Sequence, residues 1–254
     1  MIGLDGFPLV GVGDDLARMI VESAEKNGTP IRDGDIIALS QKIVSKAEGR
    51  LARLSDVVPS EKAKKIAALT DKDARLVELV LHETRMILKA IPGFLIVKDK
   101  RGWICLNAGI DRSNVSSATD LYTLLPVNPD ESAKRIHHEI SRLTAKKIGV
   151  IICDTFSRPF RRGQTEFAIG ISGVKAFKDY RGEKDLFGHV LHVKNVAIID
   201  ELACAAELLM GQGNEGVPVA IIRNLKRVEL CDESSSSTKE IHLAMHEDFF
   251  EDAL

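Results

Sequence analysis

The chain has 254 residues, 44% of them hydrophobic and 28% charged, and a formal net charge of -2. These values are ordinary for a globular protein of one or two domains, and the small net charge excludes a strongly basic surface for nucleic acid. No apolar run approaches the roughly 20 residues that span a bilayer. The N-terminal residues show neither a basic start nor a cleavage site, and the four cysteines form no C-x-x-C pair. We therefore expect a cytoplasmic protein with reduced thiols, without a membrane or nucleic-acid partner.

Helices and strands alternate along the first half of the chain. The helical periodicity of the apolar residues predicts helices over residues 14–27, 61–69 and 73–90. Runs rich in β-branched residues predict strands over residues 35–40, 93–98 and 103–108. The Asp-Lys-Arg-Gly sequence between the last two strands is typical of a hairpin.

The second half continues this alternation. Helices are predicted over residues 131–145 and 201–209, and strands over residues 148–153, 166–171, 195–199 and 217–222. A serine run at 234–237 separates the last strand from a polar helix that begins near Thr238. The pattern predicts a mixed α/β fold, and no repeat of fixed period indicates a solenoid.

A stretch dense in charge and glycine follows the strand predicted over residues 148–153. Asp154 and Thr155 come directly after this strand, where their oxygens suit a divalent cation at a sheet edge. Asp-Thr in this position is also a common helix cap. Basic side chains that can clamp phosphates or carboxylates come next, namely Arg158, Arg161, Arg162 and Lys175. Charge and glycine together favour a polyanion site over a solvated loop.

Two further places could hold an ionic ligand. Asp111 and Asn114 follow the strand predicted over residues 103–108 and carry the hard oxygens that magnesium and manganese prefer. Both residue types also satisfy their own backbone in loops, as Asx turns. Lys46 follows the strand predicted over residues 35–40 and is either a phosphate ligand or simply solvated.

Residues 211–216 match the pattern G-x-G-x-x-G. In a Rossmann fold this motif follows a strand and opens a helix, whereas here it follows a predicted helix and precedes a strand. No G-x-x-x-x-G-K-[ST] sequence occurs, so a nucleotide site in this chain would be neither a Rossmann site nor a Walker P-loop. The glycine-rich backbone either approaches phosphates through its N–H groups or ends the preceding helix.

Several segments together resemble the coenzyme F420-0:γ-glutamyl ligases, which are GTP-dependent enzymes of deazaflavin-cofactor biosynthesis. The resemblance covers most of residues 1–223 in the family's order and fades after Arg223. It is carried by FPLV followed by GDDL, DGDIIALSQKIVSKAEGR, CLNAGIDRSNV, VIICDTFSRPFRRG, FAIGISGVKAFKDYRG with KDLFG, and LLMGQGNEGVP. Each segment alone is weakly specific, but their combination is highly specific.

The resemblance implies an α/β fold unlike the common nucleotide-binding folds, and an intertwined homodimer. Residues 1–230 would form the GTP-dependent catalytic domain, with one or two subdomains, whereas residues 231–254 receive no role. Two divalent cations (Mn²⁺ or Mg²⁺) are implied, with K⁺ as a further helper. L-glutamate would join the lactyl carboxylate of coenzyme F420-0, and a further glutamate would join through the γ-carboxylate of the first. The alternatives are a ligase of the same fold for another small acid and a non-catalytic nucleotide-binding regulator.

The resemblance also assigns ligands to single residues. The implied metal ligands are Asp111, Asp154, Thr155 and Gln212. The implied guanine-nucleotide contacts are Phe7, Pro8, Leu9, Val10, Ser40, Gln41, Lys46, Asn114, Met210, Gly211, Gln212, Gly213, Asn214, Glu215, Gly216 and Val217. The family pattern has Glu at position 212, so the amide of Gln212 implies weaker metal binding here. The catalytic candidates Arg158, Arg161, Arg162 and Lys175 come from their charge, which suits an acidic substrate and glutamate, and not from the family.

Overall fold

The computed structural model describes residues 1–117, 119–157 and 161–243. Its helices are α1 (Leu16–Lys26), α2 (Gln41–Ala47), α3 (Glu61–Thr70), α4 (Ala74–Glu83), α5 (Pro129–Thr144) and α6 (Ile198–Met210). Its strands are β1 (Ile2–Gly3), β2 (Ile36–Ser40), β3 (Leu51–Arg53), β4 (Thr84–Ile91), β5 (Phe94–Asp99), β6 (Ile104–Leu106), β7 (Leu121–Thr123), β8 (Gly149–Ser157), β9 (Gln164–Ser172), β10 (Lys178–Asp179), β11 (Asn195–Val196) and β12 (Val219–Ile222). The predicted mixed α/β class is confirmed. In this described part, no helix is long and apolar enough to cross a bilayer.

A five-stranded mixed sheet forms the centre of the fold, in the order β1-β12-β2-β8-β9. Strands β2 and β8 run parallel, whereas the other neighbours pair antiparallel. The parallel register runs from Ile36 opposite Gly149 to Ser40 opposite Cys153. The carboxyl ends of β2 and β8 therefore lie side by side at one edge of the sheet, which is where open α/β sheets commonly bind ligands.

Helices cover both faces of the central sheet, which explains why its strands are continuous apolar runs. On one face, α1 and α5 pack Ile20 and Ile140 against sheet residues such as Ile152. On the other face, α6 packs Ala203 in a cluster with Ile151. Because both faces are covered, the edge of the sheet is the part of β2 and β8 that is open to a ligand.

A third apolar cluster lies apart from the two on the central sheet. It joins α3 and α4 to the three-stranded antiparallel sheet β4-β5-β6, with Val77, Val80, Leu95 and Val97 fully buried. The hairpin predicted for residues 93–108 is confirmed by the pairing of β5 with β6. A division of the chain into subdomains stays a prediction.

The helix predicted over residues 73–90 is wrong beyond Glu83. Thr84 has an extended backbone and begins β4, which pairs with β5 as far as Ile91 opposite Phe94. The apolar residues of this segment are compatible with either period, and Gly93, with a φ of 82°, allows the tight turn between the strands. Pairing with β5 therefore overrides the helical propensity of the segment.

The strand predicted over residues 195–199 is also wrong in its second half. Strand β11 ends at Val196, and Ile198 already begins α6. Asp200 and Glu201 lie in the first turn of α6, where acidic side chains stabilise the positive end of the helix dipole. Ile199 is fully buried in the α6 cluster, so its apolar character serves a helix face.

The strand predicted over residues 148–153 is confirmed in place but is too short. Strand β8 continues to Ser157 because β9 pairs with it as far as Gln164, beyond the end of β2. Asp154 and Thr155 therefore lie within a strand that projects past its parallel neighbour. The helix-cap interpretation of these two residues is wrong.

Two further elements differ from the sequence predictions. Helix α2 was not predicted; it begins directly after β2, where the Ser40 hydroxyl accepts a hydrogen bond from the Lys42 N–H at 3.4 Å. The polar helix predicted from near Thr238 is a 3-10 turn, Thr238–Ile241, where the structure describes it. The rest of that prediction, from residue 244 onward, lies outside the described residues.

Candidate functional site

A cavity of about 410 Å³ opens at the sheet edge where the parallel strands β2 and β8 come to an end. Its walls come from the segment before α1, from α2, from the loop after β6, from β8 and β9, and from the loop between α6 and β12. The lining residues are Phe7, Pro8, Leu9, Val10, Ser40, Gln41, Lys42, Ile43, Lys46, Asp111, Ser113, Asn114, Cys153, Asp154, Thr155, Glu166, Met210, Gly211, Gln212, Gly213, Asn214, Glu215, Gly216, Val217 and Pro218.

Every residue that the family resemblance assigns to the nucleotide or to a metal lies in this lining, although the segments are far apart in sequence. The sequence interpretation missed Lys42, Ile43, Ser113, Cys153, Glu166 and Pro218. Most of these are neighbours of predicted residues, so the motif segments already contained them. Glu166 is different, because only its position opposite Thr155 in the β8–β9 ladder brings it to the cavity.

Asp111 lies on the side of the cavity formed by α2. Its Oδ2 lies 2.7 Å from Lys42 Nζ, and its Oδ1 accepts the Arg112 N–H at 2.7 Å. Burial alone would raise the pKa of Asp111, but Lys42 and hydrogen bonds from Ser113 outweigh it and hold the pKa below its ordinary value. Oδ1 also accepts the Ser113 N–H at 3.1 Å, so the Asx-turn interpretation is confirmed for Asp111, and the same residue also lines the cavity.

The negative charge of Asp154 is offset less well by its neighbours than that of Asp111. Burial raises its pKa to about 7 and Asp111 adds to the rise, whereas the Thr155 N–H, Lys42 and the Gln41 side chain oppose it only in part. A carboxyl group that lies in a cleft and whose ionised form is poorly stabilised is a candidate for ligand binding or catalysis. Asp154 thus marks a place in the cavity where positive charge is missing.

Thr155, Glu166 and Gln212 form a hydrogen-bonded group on the side of the cavity next to α6. Thr155 Oγ1 donates to Gln212 Oε1 at 3.0 Å, and Gln212 Nε2 donates to Glu166 Oε2 at 3.1 Å. The Glu166 residue is only 5% exposed. Burial, with a contribution from the neighbouring Asp154, raises its pKa to about 8.

The glycine-rich loop of residues 211–216 has two structural roles. Gly211, with a φ of 66°, ends α6, and its N–H donates to the Glu207 carbonyl oxygen at 2.7 Å. Asn114 Nδ2 donates to the Gly213 carbonyl oxygen at 2.8 Å, which ties this loop to the loop after β6. The helix-ending interpretation is confirmed, and the loop also lines the cavity. Its contact with phosphate stays a prediction.

Lys46 lies in the last turn of α2 and contributes to the cavity wall. Burial, together with the nearby Lys42, lowers the pKa of its ammonium group. Lys46 is therefore half-buried at the cavity wall, and its contact with phosphate stays a prediction. Lys42 and Lys46 lie one turn apart on α2, and an anion bound beside them would relieve their mutual repulsion.

Of the four basic catalytic candidates, the three that the structure describes do not line the cavity. Arg158 lies outside the described residues. Arg161 and Arg162 are exposed in the segment between β8 and β9, and neither lines the cavity. Lys175 Nζ lies 2.5 Å from Glu229 Oε2 in an exposed ion pair, also away from the lining. The catalytic role of these residues stays a prediction.

The donor atoms of the cavity fit a hard divalent cation, because carboxylate, hydroxyl and amide oxygens are what magnesium and manganese prefer. No group of three or more His, Cys, Asp or Glu side chains in the described part of the chain is arranged to hold a metal ion. A cation bound by Asp111 or Asp154 would therefore also need oxygens of Thr155, Gln212, water or a bound ligand. Cys153 is fully buried and burial raises its thiol pKa, so it does not supply a thiolate ligand.

Comparison with known families decides which proteins this one is related to. The family described as F420-0:Gamma-glutamyl ligase matches residues 6–224, which is most of the chain. The chain belongs to this family. The resemblance inferred from the sequence motifs is thereby confirmed, and membership of the F420-0:γ-glutamyl ligases makes the chain an amide-bond-forming ligase.

Relatives with assigned activities lie within the same family. The chain is 45% identical over 223 residues to the coenzyme F420:L-glutamate ligase of Methanothermobacter thermautotrophicus, covering 88% of each chain. It is 45% identical over 245 residues to the enzyme of that name from Archaeoglobus fulgidus, covering 96% of this chain and 93% of the relative. The Methanocaldococcus jannaschii enzyme is 46% identical over 194 residues, which cover 76% of this chain and 77% of the relative.

Proposed function

We propose that this chain uses GTP to join L-glutamate to the lactyl carboxylate of coenzyme F420-0, and then adds a further glutamate through the γ-carboxylate of the first. Family membership and the names of the relatives support ligation of glutamate to this coenzyme. The observation that carries the finer proposal is the single cavity that collects ammonium groups, carboxylates and a glycine-rich loop. A homodimer, assistance by K⁺, a cytoplasmic location and a nucleotide-binding fold unlike Rossmann and P-loop folds are further parts of the proposal.

Activation of the carboxylate explains why such a ligase needs a nucleoside triphosphate. A free carboxylate does not react with an amine, because oxide is too poor a leaving group. Transfer of the γ-phosphoryl group of GTP to a carboxylate oxygen forms an acyl phosphate and GDP. The amine of glutamate then attacks the acyl carbon, phosphate leaves, and the amide is formed. Catalysis of the first step depends on positioning and on neutralisation of phosphate charge.

The cavity residues match the needs of phosphoryl transfer. Lys46 and Lys42 place two ammonium groups close together, where they would attract and orient the phosphates. The loop of residues 211–216 lines another wall. The Gly211 and Gly213 N–H groups already donate to the Glu207 carbonyl oxygen and to Glu215 Oε2, so the other N–H groups of the loop would be the uncharged donors to the phosphates. Asp111, Asp154, Thr155 and Gln212 would hold two divalent cations, which supply further neutralisation of phosphate charge when they are bound.

The arginines after β8 remain our candidates for binding the acidic substrates. Arg161 and Arg162 are exposed beyond the end of β8, close in sequence to Asp154 and Thr155. A guanidinium group binds a carboxylate through two parallel hydrogen bonds, which suits glutamate and an acidic coenzyme precursor. Arg158 belongs to the same proposal, whereas Lys175 fits it less well because Glu229 already pairs with it.

Mass spectrometry tests the proposed reaction directly. The full chain is incubated with coenzyme F420-0, L-glutamate, Mn²⁺ and either GTP or ATP, and the product masses and the released GDP are measured. We expect stepwise addition of glutamate, one GDP and one phosphate per amide, and a higher catalytic efficiency with GTP. Equal efficiency with ATP would contradict the nucleotide assignment. Glutamate addition to a different acid would favour the alternative ligase, and GTP binding without turnover would favour a regulator.

A further inference from the structure

Glu166 is a buried carboxylate at the cavity whose role the proposed reaction leaves open. It lies on β9 directly opposite Thr155 on β8, so the two side chains point to the same face of the sheet. Although it is only 5% exposed, it forms no ion pair with any of the residues that the structure describes. Burying a carboxyl group without a cation is costly.

The hydrogen bonds of Glu166 show what the side chain does. Its Oε2 accepts from Gln212 Nε2 at 3.1 Å and from Thr155 Oγ1 at 3.4 Å. Glu166 therefore takes a hydrogen of Gln212, and its Oε2 is also the second acceptor within reach of the single Thr155 hydroxyl hydrogen, which lies closer to Gln212 Oε1. The amide of Gln212 is held with its nitrogen towards Glu166, which turns its Oε1 towards Thr155 Oγ1, 3.0 Å away.

An amide or a hydroxyl group binds a cation only through its oxygen, so its hydrogens must point elsewhere. Thr155 and Gln212 are the two uncharged residues among the predicted metal ligands, and both have hydrogens that would repel a cation if they were turned towards it. A group that accepts those hydrogens leaves the oxygen lone pairs free. Acceptors of this kind commonly fix the orientation of metal ligands and tune their affinity.

We propose that Glu166 is a positioning residue of the ligase, an inference that rests on the proposed function. It accepts a hydrogen from Gln212 Nε2 and offers Oε2 as the alternative acceptor for the Thr155 hydroxyl hydrogen, so that the oxygens of both residues can face a divalent cation in the cavity. When ionised, Glu166 would also add negative charge beside that cation. Glu166 would thus add negative charge near a set of metal ligands that has a neutral amide, and not a carboxylate, at position 212.

The test compares Mn²⁺ binding by the wild-type chain, Glu166→Gln and Glu207→Gln. Free Mn²⁺ is counted by electron paramagnetic resonance while Mn²⁺ alone is added to the full chain. Glutamine at position 166 keeps the shape of glutamate but removes the charge and replaces one of the two acceptor oxygens by an NH2 donor. We expect at least one Mn²⁺ to bind about 10-fold more weakly in Glu166→Gln, on the scale of losing an acceptor behind a metal ligand.

Glu207→Gln is the matched control. Glu207 lies on α6 near Glu166 and affects its pKa, but its side chain makes no hydrogen bond to Thr155 or Gln212 within the described residues and does not line the cavity. It receives the same chemical change, so its Mn²⁺ affinity should stay within about 2-fold of the wild type, as expected for an exterior charge in high dielectric. The thermal unfolding midpoint of metal-free Glu166→Gln should not fall, because an amide is cheaper to bury than a carboxylate.

A double-mutant cycle with Gln212→Ala keeps the proposal falsifiable by a second route. If Glu166 acts through Gln212, the loss of Mn²⁺ affinity on Glu166→Gln should be smaller when position 212 is already alanine. Unchanged Mn²⁺ binding by Glu166→Gln, or additive effects in the cycle, would overturn the positioning role while leaving the proposed function intact. Failure of the wild-type chain itself to bind Mn²⁺ would overturn the proposed use of metal and this role with it.

Discussion

Two groups of buried acidic side chains in this molecule differ in whether cationic side chains pair with them. Glu83 and Asp99, beside the three-stranded sheet, are paired with arginines. Arg101 Nη1 lies 2.8 Å from Glu83 Oε2 and Arg101 Nε lies 2.7 Å from Asp99 Oδ2, while Arg50 Nη2 lies 3.0 Å from Glu83 Oε1. Burial would raise the pKa of Glu83, but the two arginines outweigh it and hold the pKa below its ordinary value.

The acids of the cavity lack such pairing. Asp154 and Glu166 are also largely buried, yet burial raises the pKa of Asp154 to about 7 and that of Glu166 to about 8. Lys42 lies against Asp111 and only partly offsets the charge of Asp154. Matched charges in this fold are therefore expected to stabilise structure, whereas the unmatched carboxylates mark the place where we propose that a cation binds. Natural active sites often concentrate charges of this second kind.

Removing an arginine from the paired group should have the largest effect. Arg101→Met would leave Asp99, which is fully buried, and Glu83 without their main cation. We expect the free energy of unfolding to fall by about 3–5 kcal/mol, the usual cost of breaking a buried ion pair from one side. Urea denaturation measures this loss.

The exposed pair Arg75–Asp73 provides the control for the arginine prediction. Its side chains are 45% and 38% exposed, and its ionic atoms lie 2.7 Å apart. Arg75→Met should cost less than about 1 kcal/mol, because solvent screens surface pairs. Equal losses for the two variants would show that the Arg101 group does not stabilise the fold as a buried network.

Removing charge from the cavity should affect activity and spare stability. Asp154→Asn is expected to lower turnover by at least about 100-fold, on the scale of losing an electrostatic catalytic element. Its unfolding free energy should stay at or above that of the wild type, since the amide is cheaper to bury. Release of GDP coupled to amide formation gives the turnover, and a chelator should abolish it in the wild type. Full activity of Asp154→Asn in chelator would refute the metal assignment.

The pH dependence of stability distinguishes the two groups by its sign. In the unfolded chain Asp154 and Glu166 lose their protons near the ordinary values of 3.8 and 4.5, but in the folded chain they keep them to about 7 and about 8. Between these values the folded state binds more protons, so their contribution to stability falls as pH rises. Glu83 has the opposite effect on stability. Its pKa is lower in the folded chain than the ordinary value of 4.5, so its contribution to stability is lost as the pH falls below about 4.5.

Thermal unfolding of the metal-free protein tests the predicted direction in which stability changes with pH. We expect the midpoint of Asp154→Asn to rise relative to that of the wild type as the pH increases from about 5 to about 8, because the variant no longer loses a buried proton. The measurement is made in chelator, since a bound cation would favour the ionised carboxylates. A constant difference between the two proteins over this range would contradict the raised pKa of Asp154.

The smallest effect is expected for Gln212→Glu, which adds a carboxylate to the unmatched group. A carboxylate is a better ligand for a hard cation than an amide, so the half-saturating Mn²⁺ or Mg²⁺ concentration should fall, by roughly 2- to 5-fold, with the product unchanged. The new carboxylate would lie next to Glu166 and could not replace the hydrogen bond that Gln212 Nε2 donates. Two adjacent carboxyl groups share a proton when no cation is bound between them. The gain should therefore grow as the pH rises. Activity against free metal measures it, and coincident curves would exclude residue 212 as a metal ligand.

The sequence alone predicts the cavity better than it predicts the fold around it. Contiguous motif segments contain most of the wall, so matching them places residues such as Lys46 and Gln212 without knowledge of the sheet. Glu166 escapes prediction because its role depends on lying opposite Thr155, which a single sequence does not reveal. Strand β4 escapes for a related reason, since residues 84–91 are compatible with a helix until β5 pairs with them. Matching of family motifs was therefore sufficient for wall residues that lie within the motifs, whereas prediction failed where a residue or strand depends on a distant partner.

The single parallel strand pair limits where this scaffold can be redesigned. The parallel pairing of β2 and β8 stops at Ser40 opposite Cys153, at one edge of the sheet, so under the proposed function a change of acceptor specificity has to be built into the chain that leaves that edge. At the opposite edge, the turns that lead into the two strands are hydrogen-bonded to each other, because the Gly34 N–H donates to the Lys147 carbonyl oxygen at 2.9 Å. Insertions or fusion points for engineering belong in those entering turns, which are a full strand length away from the chemistry.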